Sequence, residues 1–443
     1  MNTINQRVGA VAPRSAAEQR SARKTVFAAA LGNGLEFFDF TVFSFFAVVI
    51  GKLFFPVGSE LGALMLSLAT FGVGFVARPL GSIVIGAYAD RVGRKPALVV
   101  TVTLMALGTG MIGLAPTYAS IGLAAPALIV LGRLLQGFSA GGEVGAATTL
   151  LMESGGTGQR GALVSWQMAS QGGAALAGAL AAATLTGALS HEALLEWGWR
   201  VPFLIGLLIG PVGFYLRGHL DDTLPVAHRA QTDQTGKAAK AAKWSERMPL
   251  RQIAAGTMLI IGGTSTMYTI VFFLPSFLTL TTGMPAAVSL LAGCTAGLVL
   301  LLGSPFAGRL ADRMPRRKTL LYAVSIVSLA VLLPAFHAIK VWPSIFTVML
   351  VVCVLIGLMT LSTPAALVLI LEAFRPEVRA TSLGVIYALG VTIFGGFAQL
   401  IVSGLWRISG SFYAPAWYVL ACGLVSLVGL MLFKEADPRG ASN

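Results

Sequence analysis

Charge is what this chain most lacks. Only 11% of its 443 residues are Asp, Glu, Lys or Arg, where a water-soluble protein carries roughly a quarter. That scarcity excludes an ordinary soluble enzyme or binding module. Cysteine is sparse too: Cys294, Cys353 and Cys422 each sit inside an apolar run, which excludes a disulfide framework or a thiolate metal site. Histidine is confined to His191, His219, His228 and His337, all in loops or at the ends of apolar runs. No nucleophile–base pair and no metal cluster can be assembled from this set. Neither catalysis nor a cofactor is expected.

What is present is apolar. The chain is 56% hydrophobic with a mean hydropathy of +0.81, and runs of about 20 apolar residues recur, the thickness of a bilayer core. Twelve spans are expected, near 25–54, 61–89, 96–115, 120–152, 160–189, 200–217, 251–282, 285–311, 318–339, 343–373, 379–406 and 414–434. Abundant glycine, 52 residues, suits helices that approach closely in lipid. The fold class is therefore an all-α integral membrane protein.

Lys and Arg alternate by loop. One side holds Arg7, Arg14, Arg20, Arg23, Lys24, two basic turns, Arg160, the 217–251 stretch, Arg375, Arg379 and Lys434. The other holds little beyond Lys52, Arg200, Lys340 and Arg407. Positive charge stays in the cytoplasm, so both termini are expected there. The net charge of +13 is thus an orientation signal; no aromatics interleave it as a nucleic-acid surface would. A cleavable leader is not expected, because the first apolar run is too long and holds two carboxylates. The expected layout is a cytoplasmic tail 1–24, a six-helix bundle 25–217, a polar linker 218–250, a second bundle 251–434 and a short tail 435–443.

Two landmarks repeat. The turn Gly86-Ala-Tyr-Ala-Asp90-Arg91-Val-Gly93-Arg94-Lys95 returns as Gly308-Arg-Leu-Ala-Asp312-Arg313-Met-Pro315-Arg316-Arg317-Lys318, 222 positions later. Glu153 precedes Arg160 by seven residues, and Glu372 precedes Arg379 by seven, the pairs lying 219 positions apart. Two landmarks at nearly one offset indicate a duplicated architecture, which in a membrane chain points to a transporter. The turns exceed what topology needs. A charge latch or gate is expected at Gly86, Asp90, Arg91, Arg94, Asp312 and Arg313, with Glu153, Arg160, Glu372 and Arg379 beside them.

Five ionisable residues lie deep inside spans: Glu36 and Asp39 in the first, Arg78 in the second, Arg133 and Glu143 in the fourth. Each costs at least a few kcal/mol in lipid unless paired or hydrated. All belong to the first half. Helical rise puts Glu36 and Arg78 each about 18 Å from the cytoplasmic end, with Asp39 and Asn33 on nearly the face of Glu36. Two readings stay open. Arg78 and Asp39 form an ion pair that only locks two helices, or Arg78 binds an anionic substrate. In the second case Glu36, Asp39 or Glu143 takes up the coupling proton, since burial favours a neutral carboxyl.

Neutral polar residues extend the set. Arg133, Gln136, Ala140 and Glu143 form a stripe along the fourth span, and Gln167, Ser170 and Gln171 share a face of the fifth. Tyr268 and Tyr387, with Thr264, Thr392 and Gln399, are the second-half candidates. Each of these neutral groups could contact substrate or merely join helices.

Several stretches resemble a known family. The two basic turns look like the loop motifs of the major facilitator superfamily, and Arg133-Leu-Leu-Gln136-Gly137 resembles its fourth-helix motif. Three more resemble the metabolite:proton symporters: Gly32-Asn33-Gly-Leu-Glu36-Phe37-Phe38-Asp39-Phe40, Ala77-Arg78-Pro79-Leu80-Gly81 and Trp197-Gly198-Trp199-Arg200-Val-Pro202-Phe203. Val130 to Gly142, Trp166 to Gln171 and Ile393 to Gly396 are most similar to citrate and other carboxylate symporters. The resemblance implies twelve helices in two six-helix bundles, a central cavity, proton-driven uptake, a role for Arg78 in binding and one for the first-helix acids in coupling. Departures are Pro315 in place of Gly93, and Phe37-Phe38 where the family often has Trp-Tyr. The expected function is proton-coupled import of a di- or tricarboxylate by a monomer in the bacterial cytoplasmic membrane. An osmolyte or betaine symporter, an exporter and a transporter-like sensor are the alternatives.

Overall fold

The computed structural model describes residues 16–211 and 250–435, with Gly93, Gly142 and Ile209 excepted. The expected linker and both tails lie largely outside the described residues. The described chain is a succession of helical rods. Helix α1 is Ala16–Phe45 continued by Ala47–Phe54, α2 is Glu60–Val92, and α3 is Arg94–Gly113. Helix α4 is Ala124–Ala140 continued by Glu143–Glu153, α5 is Arg160–Ala188, and α6 opens with Arg200–Gly206. After the linker come α7 over Leu250–Thr282, α8 over Ala286–Arg313, α9 over Arg317–Val341 and α10 over Ile345–Glu372. Helix α11 runs from Pro376–Val391 to Ala398–Ser409, and α12 is Ala414–Leu432. Among the described residues seven rods are long and apolar enough to cross a membrane, and α1 makes an eighth if its two segments form one span.

Several rods are interrupted, and local chemistry explains where. Helix α1 bends by 64° at Phe46, with no Pro or Gly at the bend. Beyond it Gly51 backs onto α2, where a Cβ would lie 2.8 Å from the Ala63 carbonyl. The bend seats that contact. In α7 a wide turn spans Met267–Phe273, just ahead of Pro275. Proline cannot donate to the carbonyl four residues back and collides with it, so the preceding turn opens. Helix α11 widens likewise over Thr392–Gly396, where a Cβ on Gly396 would fall 2.6 Å from the Phe75 ring.

Two backbone seams position everything that follows. Between α2 and α4, a Cβ on Gly137 would stand 1.6 Å from the Gly74 carbonyl oxygen, and one on Gly141 would stand 1.9 Å from that of Arg78. Only glycine permits this approach. It brings the arginines of the two helices to one level. Between α5 and α8, a Cβ on Gly297 would fall 2.4 Å from the Leu176 amide, and one on Gly308 2.4 Å from the Gly161 carbonyl. That second seam joins the first half of the chain to the second. The halves also meet at the centre, where Thr392 donates to the Phe75 carbonyl at 3.2 Å and Ser44 to Gln399 Oε1 at 3.0 Å.

Candidate substrate and proton site

The buried arginines converge on one group of rings. Arg78 is 4% exposed and Arg133 fully buried. The Arg78 guanidinium carbon lies 4.0 Å from the Phe75 centroid and 4.7 Å from that of Phe40. Arg133 lies 4.3 Å from Phe43, 4.7 Å from Phe40 and 4.9 Å from Phe71. Phe40 is common to both. A desolvated guanidinium on an aromatic face gains about 2 kcal/mol or more, so the rings help hold two cations where lipid and protein would otherwise reject them.

The faces leave most donors unused. Nε and Nη2 of both arginines are buried without a hydrogen-bond partner, as are the Tyr268 hydroxyl and the Gln399 Nε2. Tyr268 packs edge-on against Phe75, with centroids 5.5 Å apart, and touches Phe71 and Phe272. Its hydroxyl stands in the field of Arg78, Arg133, Glu36 and Tyr387. Gln171 is buried beside the Tyr387 hydroxyl, but its amide makes no hydrogen bond of good geometry. Buried donors are nearly always satisfied in proteins. The buried group of unused donors is mostly cationic, and acceptor-rich oxygens are the chemistry that would satisfy it.

Asp39 sits apart from the Arg78 donors, inside the first half. It is fully buried. Its Oδ2 accepts from the Thr109 hydroxyl and, at 3.3 Å, from Gln136 Nε2. Its Oδ1 has no hydrogen-bond partner and faces the α6 backbone, where a Cβ on Gly206 would be 2.3 Å away. Gln136 Oε1 accepts from Arg133 Nη1 at 2.8 Å. The carboxylate therefore reaches an arginine through an amide, and that arginine is Arg133. Arg78 thus lies on Phe40 and Phe75, while Asp39 is bonded by Thr109 and Gln136.

Other expected site residues are placed differently. Glu36 is buried at 7% exposure, and its charge reaches Tyr268 and Tyr387. Asn33 Nδ2 donates to the Gln167 carbonyl at 3.1 Å and to Ser170 Oγ at 2.8 Å. Ser170 in turn donates to the Gln167 carbonyl, and Gln167 Oε1 accepts from Thr148. These three side chains join α1, α4 and α5. Glu143 opens the second segment of α4, but its side chain lies outside the described residues, as do those of Asp90, Arg91 and Arg94. Gly86 lies in the same stretch of α2. The sequence reading missed Thr109, and it did not single out Phe71, Phe75 or the shared ring of Phe40.

At the end carrying the second basic turn, the duplicated pairs cross over. Arg160 donates to Glu372 Oε1 at 2.8 Å, and Arg379 to Glu153 Oε1 at 3.0 Å. Each arginine meets the glutamate of the other half. Arg317 also binds Glu372. Asp312 accepts from the Gly161 and Ala162 amides at 2.7 and 2.9 Å, placing a carboxylate on the positive end of α5. Arg313, beside it, is exposed.

Comparison with known proteins places the chain. It is 37% identical over 411 residues to the citrate-proton symporter of Salmonella typhi, covering 92% of this chain and 93% of that one. The chain belongs to the major facilitator superfamily. The model for that superfamily matches residues 266–443, and the sugar (and other) transporter model matches 25–225. An alpha-ketoglutarate permease of Escherichia coli is 33% identical, covering 93% of each chain, and a proline/betaine transporter of Salmonella typhimurium is 31% identical, covering 94% of this chain and 84% of its own. A crystal structure of a D-xylose-proton symporter shares the fold, with a TM-score of 0.74, 19% identity and coverage of 94% and 98%. The superfamily fold expected from the motifs is therefore present. The protein is a transporter of the bacterial inner membrane, not an enzyme.

Proposed function

We propose that the protein is a symporter that couples import of a di- or tricarboxylate, citrate-like in type, to protons. The surplus of buried, unused donors on Arg78, Arg133 and Tyr268 carries this reading. Carboxylate oxygens satisfy such donors through charge-assisted bonds, about twice the strength of neutral ones. Two cationic groups suit a guest with more than one carboxylate. Citrate-proton symporters and an alpha-ketoglutarate permease among the relatives support the same class. Asp39, linked to Arg133 through Gln136, is the assigned proton carrier. No cofactor takes part, and the proton gradient drives the cycle.

The cycle is rocking of two six-helix bundles, 25–217 and 251–434, about the central site. Twelve crossings, cytoplasmic termini and a monomer complete the architecture. The crossed Glu–Arg pairs and Asp312 would seal the cytoplasmic side. Osmolyte symport is the second reading, favoured by the proline/betaine relatives and by the ring cluster, which could hold a quaternary ammonium. Against it, guanidinium groups already occupy the faces of Phe40, Phe71 and Phe75.

A panel of labelled carboxylates and betaines in proteoliposomes, with and without an imposed pH gradient, tests the reading. Gradient-driven accumulation of a di- or tricarboxylate is expected, falling at least 100-fold in affinity in Arg78→Ala, the scale of losing a buried charge-assisted bond. Accumulation of betaine alone, or unchanged affinity in Arg78→Ala, overturns it.

A further inference from the structure

Where Asp39 meets α3, one hydroxyl has more acceptors than hydrogens. The Thr109 hydroxyl carries one hydrogen but has two acceptors in reach: Asp39 Oδ2, and the Met105 carbonyl at 3.0 Å. It also accepts from Gln136 Nε2 at 3.0 Å. All three partners are buried. One hydrogen makes only one well-aligned bond at a time, which gives the hydroxyl two settings.

We infer that Thr109 is a positioning residue for coupling, a hydroxyl rotor that follows the protonation state of Asp39. This rests on the reading of the protein as proton-coupled. With Asp39 ionised, Thr109 turns its hydrogen to Oδ2 and holds the carboxylate. When a proton from the external water forms an O–H bond on Asp39, that O–H donates to Thr109 Oγ1. The threonine hydrogen then swings to the Met105 carbonyl, and the Gln136 bond to Thr109 is kept. Release reverses the rotation and gives the proton to water on the other side. No hydrogen is left over in either setting.

The surroundings leave Thr109 as the group that can do this. Helix α4 presents Arg133, whose field reaches Asp39, and Gln136, an amide that does not titrate. Helix α6 presents the Gly206 backbone, and α5 meets this part of α1 through Gly178, against Thr41. Glu36 lies one turn earlier on α1 itself, and Arg78 of α2 rests against Phe40. Thr109 is thus the only hydroxyl bonded to Asp39 among the described residues.

The hydroxyl bonds both states of Asp39, but its bond to the ionised carboxylate is charge-assisted and about twice as strong, so removing it favours the protonated form. The sign follows: without the hydroxyl, Asp39 keeps its proton to higher pH, and the alkaline limb of uptake moves upward. Uptake of the transported carboxylate is measured from pH 5 to 9 in proteoliposomes for the wild type, Thr109→Val and Thr109→Ser. Thr109→Val is expected to move the half-maximal pH up by about one unit, a tenfold change in proton affinity, while Thr109→Ser keeps the wild-type profile. Should Thr109→Val not insert, Thr109→Ala removes the same hydroxyl and is scored alike. A lower rate at every pH with an unmoved profile shows a merely structural threonine and overturns the inference. A wild-type profile indifferent to pH overturns the proton-coupled reading itself.

Discussion

At the scale of single residues, the site is organised by a ring rather than by an ion pair. Phe40 is 1% exposed and touches the guanidinium groups of both Arg78 and Arg133. Its ring lies against both cations. Phe40→Leu keeps an apolar side chain but loses both contacts. The empty protein should lose about 2 kcal/mol of stability, read as a lower melting temperature in detergent. The shift produced by adding substrate should grow, because carboxylates then supply what the ring did. An unchanged substrate shift would show the ring to be mere filling. The arginines were legible in the sequence because a cation in an apolar run has no bland explanation. Thr109 was not, since a threonine in a membrane helix most often just bonds its own carbonyl four residues back, as Thr103 does with Val99.

At the scale of elements, glycine decides which helices touch backbone to backbone. The Gly74–Gly137 contact sets α4 against α2, and with it the relation of Arg133 to Arg78. Gly137→Val should prevent that seating and remove folded protein from the membrane, since backbone overlap cannot be relieved by rotamers. Gly357 in α10 is the control, for a Cβ there meets nothing within 4 Å. Gly357→Ala should insert normally and melt no lower than wild type; folded yield and melting temperature report both. The helix positions were readable from hydropathy, and most of the described helix ends fall within a few residues of expectation. The interruptions were harder. Pro275 flags the widened turn in α7, but nothing local marks the bend at Phe46, which answers to the packing of Gly51 on Ala63. Helix α1 also begins earlier than expected, at Ala16, because helical hydrogen bonding continues into polar sequence that hydropathy does not score.

At the scale of the whole molecule, the proposed latch rests on residues that occur once in each half. Glu372 carries more of it than Glu153, for it binds both Arg160 and Arg317 and is 21% exposed against 49%. Partly exposed pairs contribute about 1 kcal/mol or less each. Losing two should move the balance between closed and open cytoplasmic faces several-fold. Glu372→Gln should therefore raise labelling of a cysteine introduced on the α5–α8 seam from the cytoplasmic side. Glu153→Gln should raise it less. Equal labelling in wild type and Glu372→Gln would remove the latch from the account. The sequence showed that these four residues belonged together, but their equal spacing within each half gave no sign that they pair across halves. That follows only from three-dimensional proximity.

The crossing itself has a historical meaning. Residue i of one half meeting residue j of the other, while j meets i, is the contact that a two-fold axis produces between identical subunits. A chain of half this length, bearing one Glu–Arg set, would close the same contact against a second copy of itself. The crossed contact of this single polypeptide is thus laid out as a homodimer interface, whereas the buried arginines Arg78 and Arg133 belong to the first half alone.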